Sequence, residues 1–314
     1  MTLTELKYIV AVARHKHFGH AAEACFVAQP TLSVAIKKLE DELGVIIFER
    51  GGTEVSTTPL GTQIVTQAER VLEQTAVIKE IAKQNKDPLS GPFRLGVIYT
   101  IGPYLLPTLI KTMIKQVPQM PLILQENFTV KLMDLLRQGE LDAAIMALPL
   151  PDQGMMVQPL YDEPFMVAVA KDHAWKDRSE VSAQELKSET MLLLGNGHCF
   201  RDQVLEVCPE MARFSTANDG IARTFEGSSL ETIRHMVASG IGITVLPMAS
   251  ISNLNTEDGM LRYIPFSSPV PDRRVVIAWR KSFTRQAAID AIHQAVMACN
   301  LSGVTMLNET AQAQ

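Results

Sequence analysis

Residues 18–44 read Phe18-Gly19-His20-Ala21-Ala22-Glu23-Ala24-Cys25-Phe26-Val27-Ala28-Gln29-Pro30-Thr31-Leu32-Ser33-Val34-Ala35-Ile36-Lys37-Lys38-Leu39-Glu40-Asp41-Glu42-Leu43-Gly44. Phe18, Ala21, Ala22 and Cys25 recur at helical spacing, and Val27 and Ala28 form a short connection. Pro30 then suits the first turn of a new helix, where its missing N–H costs nothing. Leu32, Ile36, Leu39 and Leu43 face inward from that helix, and Gly44 ends it. Upstream, Leu3, Leu6, Tyr8, Ile9, Val12 and Ala13 give a preceding helix its apolar face. Downstream, Ile46, Ile47 and Phe48 begin a strand, Gly51-Gly52 signals a hairpin turn, and Val55 lies on the return strand. The pattern predicts a winged helix-turn-helix over residues 1–58.

Thr58-Pro59 is a capping residue followed by a first-turn proline, and a long linker helix is expected over residues 59–87. Ile64, Ala68, Val71, Thr75, Ile78 and Ala82 alternate spacings of four and three, a coiled-coil seam that predicts pairing with a second copy. A linker helix packed on its own domain is the alternative. Pro88, Gly91 and Pro92 break the helix. From residue 88 the pattern alternates strands (93–98, 122–126, 143–147, 165–170, 191–194, 242–246, 275–279) with helices (102–115, 130–138, 232–238, 285–299). Such alternation predicts α/β architecture with parallel sheets. Residues 88–308 form this part, as two subdomains of about 92–163 plus 268–308 and 164–267; residues 309–314 are a polar tail.

A length of 314 residues exceeds one ordinary domain, and the 46% apolar content suffices for buried cores. No apolar run of transmembrane length occurs, and Glu5, Lys7, Arg14 and Lys16 leave no signal core near Met1. A cytoplasmic location without membrane attachment is expected. The net charge of −5 says nothing for nucleic acid, and residues 1–58 hold six Lys/Arg against seven Asp/Glu. A DNA-binding reading rests on where charges sit, not on their sum.

Cys199 and Cys208 stand nine residues apart in a segment that reads as helix. Nine residues of helix span roughly 13–14 Å and place the two side chains on opposite faces. A disulfide needs Cα atoms within about 7 Å. Either the thiols are unrelated, or joining them unwinds the segment. Cytosolic cysteines rest as thiols, so a disulfide there would be a transient, sensing one. Cys25 and Cys299 read as structural, and the 15 methionines as core filler. No C-x-x-C pair is present, and no metal or cofactor is expected.

Several motifs together carry a resemblance. Phe18-x-x-Ala21-Ala22, Gln29-Pro30-Thr31-Leu32-Ser33, Leu39-Glu40-x-Glu42-Leu43-Gly44, Phe48-Glu49-Arg50 and Thr58-Pro59-Leu60-Gly61 resemble the winged helix of the LysR-type bacterial transcription regulators. Gly240-Ile241-Gly242-Ile243-Thr244-Val245-Leu246-Pro247 is similar to part of that family's effector domain. Gly197-His198-Cys199-x-Arg201-Asp202-Gln203 with Cys208, and Ile101 to Pro107, resemble the hydrogen-peroxide-sensing members. The likeness runs over essentially the whole chain. It implies an α/β fold with an N-terminal winged helix-turn-helix, a long linker helix and a two-subdomain effector domain similar to periplasmic binding proteins. It also implies a homotetramer, built as a dimer of dimers.

The implied partners are double-stranded promoter DNA, hydrogen peroxide, RNA polymerase and a thiol reductant of glutaredoxin or thioredoxin type. On DNA, Gln29, Pro30, Thr31 and Ser33 occupy the leading turn of the recognition helix, where Gln pairs with adenine and Thr or Ser reaches bases or phosphate. Lys37, Lys38 and Arg50 neutralise backbone phosphates. Val34 departs from the polar or basic residue common in such regulators, and either contacts a thymine methyl or packs. In the effector domain, Cys199 at a helix start beside His198 favours a thiolate, with further positive charge from Arg273 or Arg274. Thr100 and Thr129 follow strands and orient a peroxide, or else cap helices. Cys199 would become a sulfenic acid and condense with Cys208. The chain is expected not to be an enzyme. The rivals are a LysR-type regulator with a small organic effector in the cleft, a thiol peroxidase, and a solute binder.

Overall fold

The computed structural model of the chain describes residues 1–49, 55–83, 88–151, 154–208, 224–227, 229–252 and 259–307. The chain divides into two compact units, the first built from Met1–Asn85 with Arg137–Gly139 and the second from Lys86–Leu136 and Glu140–Gln314.

The first unit comprises α1 (Leu3–His15), α2 (Phe18–Ala24), α3 (Gln29–Leu43), β1 (Phe48–Glu49), β2 (Ser56–Thr57) and α4 (Pro59–Lys83). Thr2 and Glu5 form a capping box at α1: Thr2 Oγ1 accepts the Glu5 N–H at 3.2 Å, and the Glu5 carboxylate accepts the Thr2 N–H at 2.6 Å. Leu6, Ile9, Val12, Leu32, Ile36, Leu39, Ile47 and Phe48 form the core. Leu3 (46% exposed) and Leu43 (39%) fall outside it, because each lies on an end turn. The return strand is Ser56–Thr57 rather than Val55, whose N–H instead donates to the Lys16 carbonyl. Arg50 and the Gly51-Gly52 turn lie outside the described residues.

Thr58-Pro59-Leu60-Gly61 has a physical account. Thr58 Oγ1 accepts the Gly61 N–H and donates to the Ile46 carbonyl, both at 2.8 Å. A Cβ on Gly61 would sit 2.2 Å from the Ile47 carbonyl oxygen, so only glycine lets α4 start against the wing. The first half of the expected seam is used within this unit. Ala68 belongs to the core, and Ile64 and Val71 pack against it. Ile78, by contrast, is 67% exposed. Helical periodicity shows which face is apolar, not which partner covers it.

The second unit is built on a mixed sheet. β3 (Phe93–Ile98), β4 (Leu122–Asn127) and β5 (Ala143–Ala147) are parallel. β11 (Asp272–Arg280) pairs antiparallel with β5 and with β6 (Met155–Ala170). The expected parallel pairing is found among β3, β4 and β5, in a sheet that also carries antiparallel strands. The expected strand at 165–170 is only the second half of a 16-residue strand. The stretch before residue 165 holds Pro159, Asp162, Glu163 and Pro164, which read as loop in one dimension. The second half of β6 pairs with β9 (Thr244–Pro247) and β10 (Leu261–Pro265). β7 (Met191–Leu194) pairs with β8 (Thr224–Gly227), and a short β12 (Thr305–Met306) pairs with β6.

The helices of this unit are α5 (Gly102–Gln116), α6 (Thr129–Arg137), α7 (Cys199–Val207), α8 (Leu230–Ala238), α9 (Ala249–Ser252) and α10 (Gln286–Met297). Two apolar cores result. One joins β3, β5 and β11 to α5, α6 and α10. The other joins the far half of β6 and β9 to β7, α7 and α8. β6 runs from the first core into the second, and α7 sits where they meet.

Candidate functional site

The C-terminal ends of parallel strands open onto the cleft of such a sheet. Ile98 pairs with Asn127 at the ends of β3 and β4, which brings Tyr99-Thr100 and Phe128-Thr129 side by side. Gly197, His198 and Cys199, at the start of α7, meet them. Together these residues line a pocket with an empty volume of about 170 Å³, its open mouth included. Thr100, Thr129 and His198 are buried, and Cys199 is half-buried.

The two threonines differ. Thr100 Oγ1 accepts from Arg273 Nη1 at 2.9 Å, and its carbonyl accepts from Nη2 at 3.1 Å. Thr129 is the first residue of α6, and its buried hydroxyl has no hydrogen-bond partner among the described residues. It caps nothing. A buried hydroxyl left unpaired is costly, and this one lines the pocket that also holds Cys199.

Arg273 and Arg274 lie on opposite faces of β11, as neighbours on a strand must. Each meets its register partner on β6: Arg273 opposite Glu163, Arg274 opposite Asp162. Arg273 is wholly enclosed. Its Nε donates to Glu163 Oε2 at 2.7 Å, and its guanidinium lies 5.0 Å from the Phe200 ring centroid. Glu163 also accepts the Ala249 N–H at 2.7 Å. Arg274 is half-exposed on a bidentate pair with Asp162 and points away from the pocket. Arg273 is thus the arginine of this site. Its charge is matched by Glu163, and it reaches the pocket through Thr100.

α7 begins at Cys199, so the partial positive charge of the helix N-terminus falls beside that residue. His198 is the N-cap residue, and its side chain makes no capping hydrogen bond. Cys208 is the C-cap at the other end, donating its N–H to the Val204 carbonyl at 3.1 Å. Neither cysteine is in a disulfide. Cys199 packs against the first core, whereas Cys208 is buried in the second, with Sγ 3.5 Å from the Ala183 carbonyl oxygen. A helix of this length separates the sulfurs by roughly 13 Å along its axis.

Several residues gain a role only from the structure. Tyr99 and Phe128 line the pocket, Glu163 holds Arg273, and Gln203 on α7 donates to the Leu148 carbonyl at 2.8 Å. One signal was present: each pocket threonine is preceded by an aromatic residue at a strand end. Cys25 is half-buried and Cys299 buried; burial pushes both thiols up from their ordinary range.

In the first unit, Gln29, Pro30, Thr31, Lys37 and Lys38 are exposed along α3, and Ser33 is half-buried. The N-cap is Ala28, which supplies no side-chain oxygen, so the first N–H groups of α3 have no cap. Val34 is 69% exposed on the same outward face. It belongs to no apolar cluster among the described residues.

Residues 3–62 match the bacterial regulatory helix-turn-helix proteins of the lysR family, and residues 86–298 match the LysR substrate binding domain. The chain is 41% identical over 280 residues to a hydrogen peroxide-inducible genes activator of Pectobacterium carotovorum subsp. carotovorum, covering 89% of this chain and 90% of that protein. It is 39% identical over 298 residues to the DNA-binding transcriptional dual regulator OxyR of Escherichia coli (strain K12), covering 95% of each. Among solved structures, full-length OxyR C199D from Pseudomonas aeruginosa aligns with a TM-score of 0.69 and 50% identity, over 100% of this chain and 99% of that one. A hydrogen-peroxide-bound OxyR variant from Corynebacterium glutamicum aligns at a TM-score of 0.62 and 32% identity, over 95% and 92%. The winged helix, the mixed α/β effector unit and these likenesses agree: the chain belongs to the LysR family of bacterial transcription regulators.

Proposed function

We propose that the chain is a peroxide-responsive transcription regulator of the cytoplasm whose switch is the Cys199–Cys208 pair. The observation that carries this reading is the placement of two cysteines outside any disulfide at opposite ends of α7, one facing a pocket lined by the Thr129 hydroxyl and the other sunk in a different core. The Cys199 thiolate attacks one oxygen of hydrogen peroxide. The O–O bond breaks, and hydroxide leaves and is protonated to water. Sulfur is oxidised to a sulfenic acid. Cys208 sulfur then attacks Cys199 sulfur, the S–O bond breaks, and a second water departs as the disulfide forms. A dithiol reductant of glutaredoxin or thioredoxin type reverses it by supplying two electrons. Thr129 and Thr100 orient the peroxide, Arg273 fixes Thr100, and His198 lines the pocket beside Cys199; Arg274 has no part.

The disulfide requires Cα atoms within about 7 Å, so α7 must unwind and its hold on both cores must break. We read the refolded segment as the signal that changes how effector domains meet in a homotetramer, and so where the winged helices fall on promoter DNA, with RNA polymerase downstream. The division supporting this is 1–58 for DNA, 59–87 for the linker, and 88–308 for sensing, with subdomains of 92–163 plus 268–308 and 164–267. Gln29, Pro30, Thr31, Ser33, Lys37, Lys38 and Arg50 form the DNA face, and Val34, left uncovered, suits a thymine methyl. The test is Cys199→Ser assayed for peroxide-dependent promoter response: the response is lost on this reading. A retained response would instead favour an organic effector in the cleft.

A further inference from the structure

Three rings meet above the reactive thiol. Phe128 lies 4.8 Å from His198 and 5.2 Å from Tyr99, centroid to centroid, and Tyr99 lies 5.9 Å from His198. Two contacts are edge-on and one tilted, the arrangements that aromatic quadrupoles favour. All three residues line the pocket with Cys199, Thr100 and Thr129. Tyr99 (40% exposed) and Phe128 (36%) stand at the mouth, with His198 (8%) beneath them. The backbone pins the collar from below. Gly197 adopts φ +96°, and a Cβ there would lie 3.3 Å from Phe128 Cδ1. The missing side chain at residue 197 lets the Phe128 ring settle onto the turn that carries Cys199.

The geometry points to Phe128 and Tyr99 as the residues that set which peroxide reaches Cys199, admitting hydrogen peroxide and rejecting alkyl hydroperoxides by size. This rests on the peroxide reading above and adds to it the source of selectivity. The enclosed part of the pocket has room for about one water-sized molecule. Hydrogen peroxide is two oxygens and two protons, and both oxygens find polar partners at depth, at Thr100 and Thr129. A hydroperoxide on a quaternary carbon brings three methyl groups to the oxygen that must leave as alkoxide and be protonated to the alcohol. Those methyls have no space unless the rings part. The electron accounting is the same for both oxidants: Cys199 sulfur loses two electrons to the O–O bond. Only access distinguishes them.

The experiment compares Cys199 sulfenic acid formation by hydrogen peroxide and by tert-butyl hydroperoxide in the full chain carrying Cys208→Ser. The proteins compared are this parent, Phe128→Ala, and Tyr99→Ala, whose exposed ring makes it the safer substitution for folding. In the parent, hydrogen peroxide reacts far faster. In each ring variant the ratio of the two rates narrows by roughly tenfold or more, the scale on which pockets discriminate one or two carbons. An unchanged ratio in both variants, with hydrogen peroxide still reacting, overturns the collar and leaves the peroxide reading intact. A parent that reacts with neither oxidant overturns both.

Discussion

Thr129 and Arg273 show what single side chains are for in this site. A buried hydroxyl without a partner is a cost to folding, so Thr129→Val should leave thermal stability unchanged or raise it, by up to about 1 kcal/mol. The same substitution removes a donor that a bound peroxide would use, so Cys199 oxidation should slow by roughly tenfold or more. A stability loss with an unchanged oxidation rate would show a merely structural threonine. Arg273 behaves otherwise. Removing it strands a Glu163 carboxylate that is 0% exposed. Arg273→Met should therefore destabilise by about 3–5 kcal/mol in chemical denaturation. Arg274→Ala breaks a half-exposed pair and should cost under about 1 kcal/mol. Equal losses for the two would contradict the division of the β11 faces. Nothing in Arg273-Arg274 as a dipeptide reveals which faces inward. That depends on strand parity, fixed by pairing with Glu163 and Asp162 from a strand that sequence pattern did not reveal. The separation of the two cysteines at opposite ends of one helix, by contrast, was legible from spacing, because helix geometry is the same in every protein.

Elements were legible where burial has a single period. β3 and β5, apolar at nearly every position, declare themselves, as do α1, α3 and α10. β6 did not, because it leaves one core and enters another, and two prolines and two carboxylates sit on the passage. On the proposed switch, α7 is the element that must change. It is held at Cys199 by the first core, at Phe200 and Cys208 by the second, and at Gln203 by the Leu148 carbonyl. Oxidation should release these ties together. Backbone amides of residues 203–207 are therefore expected to lose hydrogen-exchange protection in the disulfide form, while those of β3 and β5 keep theirs. Retained protection across α7 in oxidised protein would mean that the helix does not unwind. Gln203→Leu removes one tie and should speed disulfide closure after sulfenic acid formation, followed by stopped-flow mixing.

At the scale of the molecule, α4 gives up its early apolar positions to its own domain and leaves Ile78 uncovered. The seam read from sequence thus divides between an internal and an external use, a division that periodicity alone cannot make. Ile78→Glu should weaken self-association in sedimentation velocity without lowering the melting temperature of the winged-helix unit; unchanged association would remove α4 from the dimer contact. The central claim is that peroxide chemistry at one end of α7 becomes a change on DNA. Its most direct measurement is mass spectrometry of the full chain after brief stoichiometric hydrogen peroxide, with a promoter footprint taken on the same sample. The account predicts a Cys199–Cys208 cross-link that appears together with a shifted footprint. A chain that remains in four free thiols, or one that is cross-linked yet protects the same bases, would contradict it.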